Sequence, residues 1–168
     1  VRMSTVESTF TLADITDIPW RLTIAGSLTH APEAAKALRQ VIDRCGVAER
    51  VTLAGALDDA HLAACFARAD AFAMSSLFEG YGMALTEALA RGLPVVTSSG
   101  GAAAETVPDM AALKVPPGDS AALSAALWRV MTDRSLRRRM SDAAWAAAAL
   151  LPSWDDTARE IADVVKTL

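Results

Sequence analysis

The chain has 168 residues, of which 52% are hydrophobic, and a formal net charge of −4. This composition is typical of one globular domain with a sizeable core and excludes a disordered chain. The charge provides no basic stripe for nucleic acid, so an anionic ligand would have to be bound by local groups.

From Trp20 onward, short β-rich runs alternate with longer stretches of helical period. Strands are predicted at 21–26, 50–55, 71–76, 94–99 and 112–117, and helices at about 32–45, 59–69, 82–91 and 102–106. From Asp119 the pattern is wholly helical and predicts three more helices. The alternation predicts an α/β fold, a doubly wound Rossmann-like parallel sheet with helices on both faces and a helical C-terminal region.

Residues 1–19 show neither period and are interpreted as an irregular leader or remnant, which leaves residues 20–168 as one domain. No apolar run approaches the length that spans a bilayer, and no secretion signal is recognisable. The two cysteines, Cys45 and Cys65, lack the spacing of a disulfide framework. We therefore expect a cytoplasmic protein without a transmembrane segment.

Ligands of open parallel sheets bind beyond the carboxyl ends of the strands, next to helix N-termini. Small residues follow the predicted strands at this edge, at Gly26, Gly55, Ser75-Ser76 and positions 98–101. Glycine and serine allow a ligand to approach the backbone and offer unpaired amides, which suit phosphate oxygens and sugar hydroxyls.

Two glutamates lie at the middle of that edge, Glu79 in the loop after a strand and Glu87 more than one turn into the next helix. An ionised carboxylate accepts two hydroxyl donors at once, so the diols of a sugar and a ribose are natural partners. A nucleotide sugar has a diol at each end and an anion between them. Two simpler interpretations stay open: Glu79 stabilises a helix N-terminus, and Glu87, opposite Leu85 and Leu89, is merely solvated.

The segment that begins at Ser75, "SSLFEGYGMALTEALARGLPVVTSSGGAAAETV", resembles the nucleotide-sugar-binding signature of family-4 retaining glycosyltransferases of group 1. In that signature two glutamates flank a Gly-aromatic-Gly turn. The similarity extends over residues 20–168 and includes "RVTLAGALDDAHLAACFARADAF" and "VPPGD". Members have a GT-B fold of two Rossmann-like domains, and this chain is similar to the C-terminal, donor-binding one.

The resemblance implies transfer of a hexose from a nucleotide sugar with retention of configuration, and no obligatory metal ion or other cofactor. It assigns Glu79 to the hydroxyls of the donor sugar, as the one catalytic residue, and Glu87 to the ribose. The other donor-binding residues that it implies are the amides of Gly80, Tyr81 and Gly82, contacts from Met83 and Ala84, Gly26 at the sheet edge, and the Gly55–Leu57 loop near the base.

The sequence departs from this family in two places. The usual first strand of the donor domain, with an arginine and a lysine for the diphosphate, is not found in residues 1–19. The N-terminal acceptor domain is missing too, so we interpret the chain as a fragment that is inactive alone. The missing strand would lie in the centre of the sheet. We therefore expect either that residues 1–19 partly replace it or that an open sheet edge favours self-association. Any peripheral membrane contact would come from the missing domain.

The alternative function is a non-catalytic nucleotide-binding or interaction module on the same fold, since the basic pair is absent. A dinucleotide-dependent oxidoreductase is excluded because no G-x-G-x-x-G turn follows a strand. His30 and His61 are isolated and predict no metal site. Glu105 and Asp109 are interpreted as helix-capping residues.

Overall fold

The computed structural model describes residues 12–13, 15–151 and 154–166. Its strands are β1 (Leu22–Ala25), β2 (Val51–Gly55), β3 (Phe72–Met74), β4 (Val95–Ser98) and β5 (Ala112–Val115). Its helices are α1 (Pro32–Arg44), α2 (Asp59–Ala67), α3 (Met83–Leu89), α4 (Ala103–Thr106), α5 (Ser120–Thr132), α6 (Arg134–Ala148) and α7 (Trp154–Lys166), with one 3-10 turn at Ala48–Arg50. The predicted elements are present, and the strands end up to two residues earlier than expected.

All strand pairs are parallel, as predicted, but the strands form two sheets, β1–β2 and β3–β4–β5. The single sheet that the sequence predicts is therefore divided between β1 and β3. In a doubly wound sheet this is the position of the first strand, which the sequence analysis does not find. Within the described residues, β1 and β3 each have one edge without a paired strand.

Both faces of the three-stranded sheet are covered, as predicted for parallel strands. Consecutive residues of β4 show this, because their side chains alternate between the two faces. Val95 packs into the cluster that contains Leu85 of α3, and Val96 into the cluster that contains Leu38 of α1 and Leu127 of α5. Every residue of β4 is buried, so the loop that follows it starts from a rigid position.

The described part of the N-terminal segment packs against the core. Leu12 and Ile15 are buried, and the indole N–H of buried Trp20 donates to the Ile15 carbonyl at 2.8 Å. Asp17 accepts a hydrogen bond from the indole of Trp128 on α5 at 3.1 Å. Residues 1–11 and 14 of the predicted leader lie outside the described residues.

The last helix, α7, carries three exposed apolar side chains at helical spacing, Ile161, Val164 and Val165. They share one helix face because residues three and four apart are neighbours on a helix. Among the described residues, no helix is long and apolar enough to cross a bilayer.

Aspartates cap the N-termini of three helices. The carboxylates of Asp58, Asp119 and Asp133 each accept a backbone N–H from three residues along the chain, at 2.8 Å. The Leu136 N–H, followed by the Ser135 hydroxyl, lowers the pKa of Asp133 below its ordinary value. Such capping bonds satisfy amides that have no partner inside the helix.

We expect Asp133→Asn to reduce the loss of stability in acid. A carboxyl whose pKa is lower in the folded chain stabilises the fold fully above the unfolded pKa, about 3.9. That stabilisation disappears as the pH falls through the folded pKa. Urea unfolding between about pH 6 and about pH 2 should show a shallower decline for the variant, and the difference should be small because Asp133 is half-exposed. Asp142→Asn, on the exposed face of the same helix, is the control, and identical declines in both variants would contradict the assignment.

Candidate functional site

The loops that follow β3 and β4 are joined through their backbones at the carboxyl edge of the sheet. The Glu79 N–H donates to the Gly100 carbonyl at 3.2 Å, and the Ala102 N–H donates to the Glu79 carbonyl at 2.9 Å. These bonds form an isolated parallel bridge between Glu79 and Gly101. The first of the two predicted glutamates is therefore fixed to the loop of the next strand, and we call this feature the Glu79–Gly101 bridge.

Glycine is required on one side of this bridge. A Cβ atom at Gly100 would lie 2.3 Å from the Leu77 carbonyl oxygen, and one at Gly101 would lie 2.3 Å from the Glu79 carbonyl oxygen. Gly101 also has a φ of +64°, which L side chains rarely adopt. The close approach that these glycines permit is thus between two loops, whereas the sequence analysis expected an approach by a ligand.

The small polar residues beside the bridge bond to the backbone of neighbouring strands. The buried Ser98 donates its hydroxyl to the Ser76 carbonyl, and buried Thr97 donates to the Met74 carbonyl at 2.9 Å. The sequence predicts that Ser98 lets a ligand approach the backbone, and it predicts no role for Thr97. Here both hydroxyls satisfy carbonyl groups that burial would otherwise leave unpaired.

The carboxylate of Glu79 folds back on its own turn. Its Oε1 accepts the Gly82 N–H at 3.2 Å, and its Oε2 accepts the Ser76 hydroxyl at 3.5 Å. Gly82 has a φ of +85° and is the N-cap residue that precedes α3. An ionised carboxylate has about four lone-pair sites, so this half-exposed side chain keeps acceptor capacity after both bonds.

Glu87 lies in the middle of α3 and is fixed by the burial of its neighbours. Leu85 and Leu89 are fully buried, and Glu87 is half-exposed on the other side of the helix. Its carboxylate has no hydrogen bond or ion pair among the described residues, whereas its carbonyl accepts a hydrogen bond from Arg91 at 3.0 Å. Arg91 also stacks 4.4 Å from the centre of the Phe66 ring. The Glu87 carboxylate is therefore open to a ligand.

The predicted base-side residues come together on the other sheet. The Gly26 N–H donates to the Gly55 carbonyl at 2.8 Å, so the loops after β1 and β2 begin side by side. Gly55 has a φ of +70°, and Leu57 is half-buried two residues further on. The predicted site residues thus form two groups, one on each sheet.

Three large apolar side chains beside Glu79 are exposed to solvent. The exposed fractions of Phe78, Tyr81 and Met83 lie between 62% and 65%. With Gly80, which is also exposed, they surround the turn and give a ligand an apolar surface next to carboxylates. Side chains with this exposure at one edge are typical of binding surfaces.

Sequence reasoning missed two residues that hold this edge. The Thr106 hydroxyl donates to the Tyr81 carbonyl at 3.0 Å. The Lys114 ammonium, only 18% exposed, donates to the Ala104 carbonyl and to Asp109, each at 2.6 Å. Asp109 is therefore an ion-pair partner and does not cap a helix as expected. A lysine inside the apolar run "ALKV" was the one signal that could have pointed to this contact.

A groove of about 740 Å³ lies elsewhere, between the N-terminal segment and α5. Its lining includes Ile15, Asp17, Trp128 and Arg129 but neither predicted glutamate nor a glycine of the sheet edge. Because ligand recognition needs convergent polar groups as well as volume, the open edge around Glu79 is the better candidate.

The described residues contain no group of three or more His, Cys, Asp or Glu side chains that could hold a metal ion. His61 bonds instead to the capping Asp58, with 2.7 Å between Nδ1 and Oδ1. The His61 backbone N–H, and then its side chain, lower the pKa of Asp58 below its ordinary value. Both side chains are exposed. The pair therefore caps the start of α2 at the protein surface.

The family described as glycosyl transferases group 1 matches residues 7–146. D-inositol 3-phosphate glycosyltransferase of Xylanimonas cellulosilytica is 30% identical over 145 residues, which cover 86% of this chain and 34% of the relative. Phosphatidyl-myo-inositol mannosyltransferase of Mycobacterium leprae is 36% identical over 125 residues, 73% of this chain and 33% of the relative. The chain thus spans about a third of the length of these relatives.

Among solved structures, HepE of Anabaena in complex with UDP superposes with a TM-score of 0.86 at 25% identity. The superposition covers 96% of this chain and 44% of that protein. The structural neighbours are glycosyltransferases of the GT-B fold, which confirms the predicted fold class.

We expect Gly101→Ala to destabilise the chain more than Gly46→Ala. Both glycines have nearly the same φ, +64° and +65°, but nothing lies within 4 Å of a Cβ at Gly46. Gly46→Ala therefore reports the backbone penalty alone, about 1–2 kcal/mol. The new methyl group at Gly101 must also push Glu79 away, for about 1–3 kcal/mol more. Urea unfolding of both variants measures the difference, and equal losses would show that the Glu79–Gly101 bridge does not need the close contact.

Proposed function

This chain belongs to the group 1 glycosyl transferase family, and we propose that it is the nucleotide-sugar-binding half of a retaining glycosyltransferase. The observation that carries the proposal is the turn at Glu79–Gly82. It is fixed to the Gly100–Ala102 loop at the carboxyl edge of parallel strands, where ligands of such sheets bind. The donor that we propose is a hexose attached to a nucleoside diphosphate.

Glu79 is the residue that we assign to the sugar, and the one that we assign to catalysis. Its carboxylate is held by the Gly82 N–H and the Ser76 hydroxyl, so it is oriented before the ligand arrives. Remaining lone pairs would accept hydroxyl groups of the hexose. Such an acceptor places the anomeric carbon for transfer, and orientation of this kind is a large part of catalysis.

Glu87 is the residue that we assign to the ribose. Its carboxylate is half-exposed and without a partner among the described residues, and the burial of Leu85 and Leu89 fixes the helix that carries it. A diol that donates twice to one carboxylate forms a charge-assisted pair of hydrogen bonds. The Gly26 and Gly55–Leu57 loops of the other sheet would then lie toward the base.

The diphosphate would lie between the two carboxylates, against backbone amides. Met83 and Ala84 supply these amides, because the first amides of a helix have no acceptor inside the helix. Gly80 and Tyr81 belong to the turn and would face the sugar, and the Gly82 N–H is already taken by Glu79 Oε1. Amides aimed at the leaving diphosphate stabilise the charge that develops when its bond to the sugar breaks. The proposal includes no metal ion, so binding should be the same in magnesium and in EDTA.

A second candidate is a module on the same fold that binds a nucleotide without catalysis. Two basic side chains near the turn favour this candidate, because both are already bonded to other groups of the chain. Lys114 is paired with Asp109, and Arg91 is bonded to the Glu87 carbonyl and stacked on Phe66. Neither is placed to take the charge of a leaving diphosphate.

The transferase proposal also places the protein in the cytoplasm. Two free cysteines, Cys45 and Cys65, support this, because unpaired thiols are typical of a reducing compartment.

We expect Glu87→Ala to weaken nucleotide-sugar binding by about ten- to hundredfold, since it removes hydrogen bonds to a charged group. Isothermal titration with UDP-, GDP- and ADP-hexoses first identifies the ligand that binds, and the variant is then titrated with it. Glu160→Ala, on exposed α7, is the control and should bind as the wild type does. No binding of any of these ligands at millimolar concentration would contradict the proposal.

We also expect the purified chain alone to show no measurable sugar transfer. It spans about a third of its relatives, and transfer needs donor and acceptor held together in attacking geometry. Release of nucleoside diphosphate, followed with and without acceptor sugars, measures this. Sustained turnover by the chain alone would show that it carries an acceptor site of its own.

A further inference from the structure

One peptide group of the site has both of its polar atoms bonded to side chains. In the peptide that joins Tyr81 to Gly82, the carbonyl accepts the Thr106 hydroxyl at 3.0 Å. The N–H of the same peptide donates to Glu79 Oε1 at 3.2 Å. Because a trans peptide is planar, with its C=O and N–H on opposite sides, these bonds fix one plane from both directions.

We infer that Thr106 is a positioning residue for the sugar-binding carboxylate. Its hydroxyl fixes the Tyr81–Gly82 peptide, and that peptide presents the N–H that orients Glu79. Thr106 acts through the backbone and does not itself touch the ligand. This inference rests on the proposed function, in which Glu79 accepts hydroxyls of the donor sugar.

The turn needs such a tether because little else restrains its middle. Glycine lies on each side of Tyr81, and glycine has more backbone freedom than any other residue. A Cβ at Gly80 would have nothing within 4 Å, and the Tyr81 side chain is 65% exposed. The Glu79–Gly101 bridge fixes the start of the turn and α3 its end, and the Thr106 bond reaches the part between them.

Thr106 is itself held firmly. It is the last residue of α4, between Ala103 and Val107, which are fully buried. Lys114 donates to the Ala104 carbonyl of the same helix. A β-branched side chain has few accessible χ1 rotamers, so the hydroxyl is presented to Tyr81 at low entropic cost.

The two hydrogen bonds should strengthen each other. A donor on the carbonyl oxygen polarises the peptide and makes its N–H a better donor. Loss of the Thr106 hydroxyl therefore weakens the restraint on Glu79 in two ways, through a freer peptide plane and a poorer donor. The consequence falls on the sugar end of the ligand, because Glu87, the base-side loops and the start of α3, where the Leu85 and Thr86 N–H groups donate to the Gly82 carbonyl, keep their own bonds.

The test compares two ligands, the nucleotide sugar that binds and its nucleoside diphosphate, by isothermal titration of the whole chain. Thr106→Val removes the hydroxyl and keeps the shape, and Thr106→Ser restores the hydroxyl. Thr132→Val is the matched control, because Thr132 makes the same kind of hydroxyl-to-carbonyl bond, at 2.8 Å, outside the site. Thr106→Ala replaces the valine variant if valine prevents folding.

We expect Thr106→Val to weaken binding of the nucleotide sugar by about two- to tenfold, the worth of one hydrogen bond, and to leave the nucleoside diphosphate unaffected. Thr106→Ser and Thr132→Val should bind both ligands as the wild type does. In a Glu79→Ala background, Thr106→Val should have no further effect, because the carboxylate it orients is gone.

An equal loss for both ligands, no loss at all, or an undiminished effect in the Glu79→Ala background would overturn the inference. Wild-type binding with any of these results leaves the proposed function standing and removes only the role of Thr106. If the wild-type chain binds neither ligand, the proposed function fails and this role fails with it. The two failures are therefore distinguishable.

Discussion

The site depends on two backbone hydrogen bonds that join the loop after β3 to the loop after β4. They form only because Gly100 and Gly101 leave the space that a Cβ would fill beside the Leu77 and Glu79 carbonyls. Each bond contributes modestly to stability, roughly 0.5–1.5 kcal/mol. Their larger effect is placement, because they fix where the chain turns before α3 begins and so where Glu79 and the following amides lie.

Glu79 belongs to the scaffold through its backbone and to the site through its carboxylate. The backbone makes the bridge, and the carboxylate holds the first amide of the turn into α3. Glu87, in contrast, depends on packing, since buried leucines orient the helix that carries it. One carboxylate is thus pre-organised by hydrogen bonds and the other by the core, which gives a ligand two fixed acceptors.

Much of the fold was predictable because strand and helix periods are local properties of the chain. The alternation from Trp20 predicted parallel strands, and the strand ends located the edge where Glu79 now lies. The division between β1 and β3 lies where the sequence analysis places the missing first strand, but the alternation alone did not show it, because strand order depends on a partner that the pattern of each strand does not contain. The hydrogen bonds of Ser98, Thr106 and Lys114 were not predicted either. They reach carbonyl groups 10 to 25 residues away, and no local pattern encodes such a contact. The glycines at 100 and 101 were recognised as sites of close approach, but sequence cannot show that the approaching group is another loop.

The most direct test of this account is to follow the backbone amides of the labelled chain by NMR while the nucleotide sugar is added. The account predicts that the largest shift changes fall on residues 80–84, with smaller ones at 100–102 and near Glu87, because the ligand occupies the edge that the bridge creates. Changes centred instead on the groove between Ile15 and Trp128, with residues 80–84 unmoved, would contradict it and place the ligand in that groove.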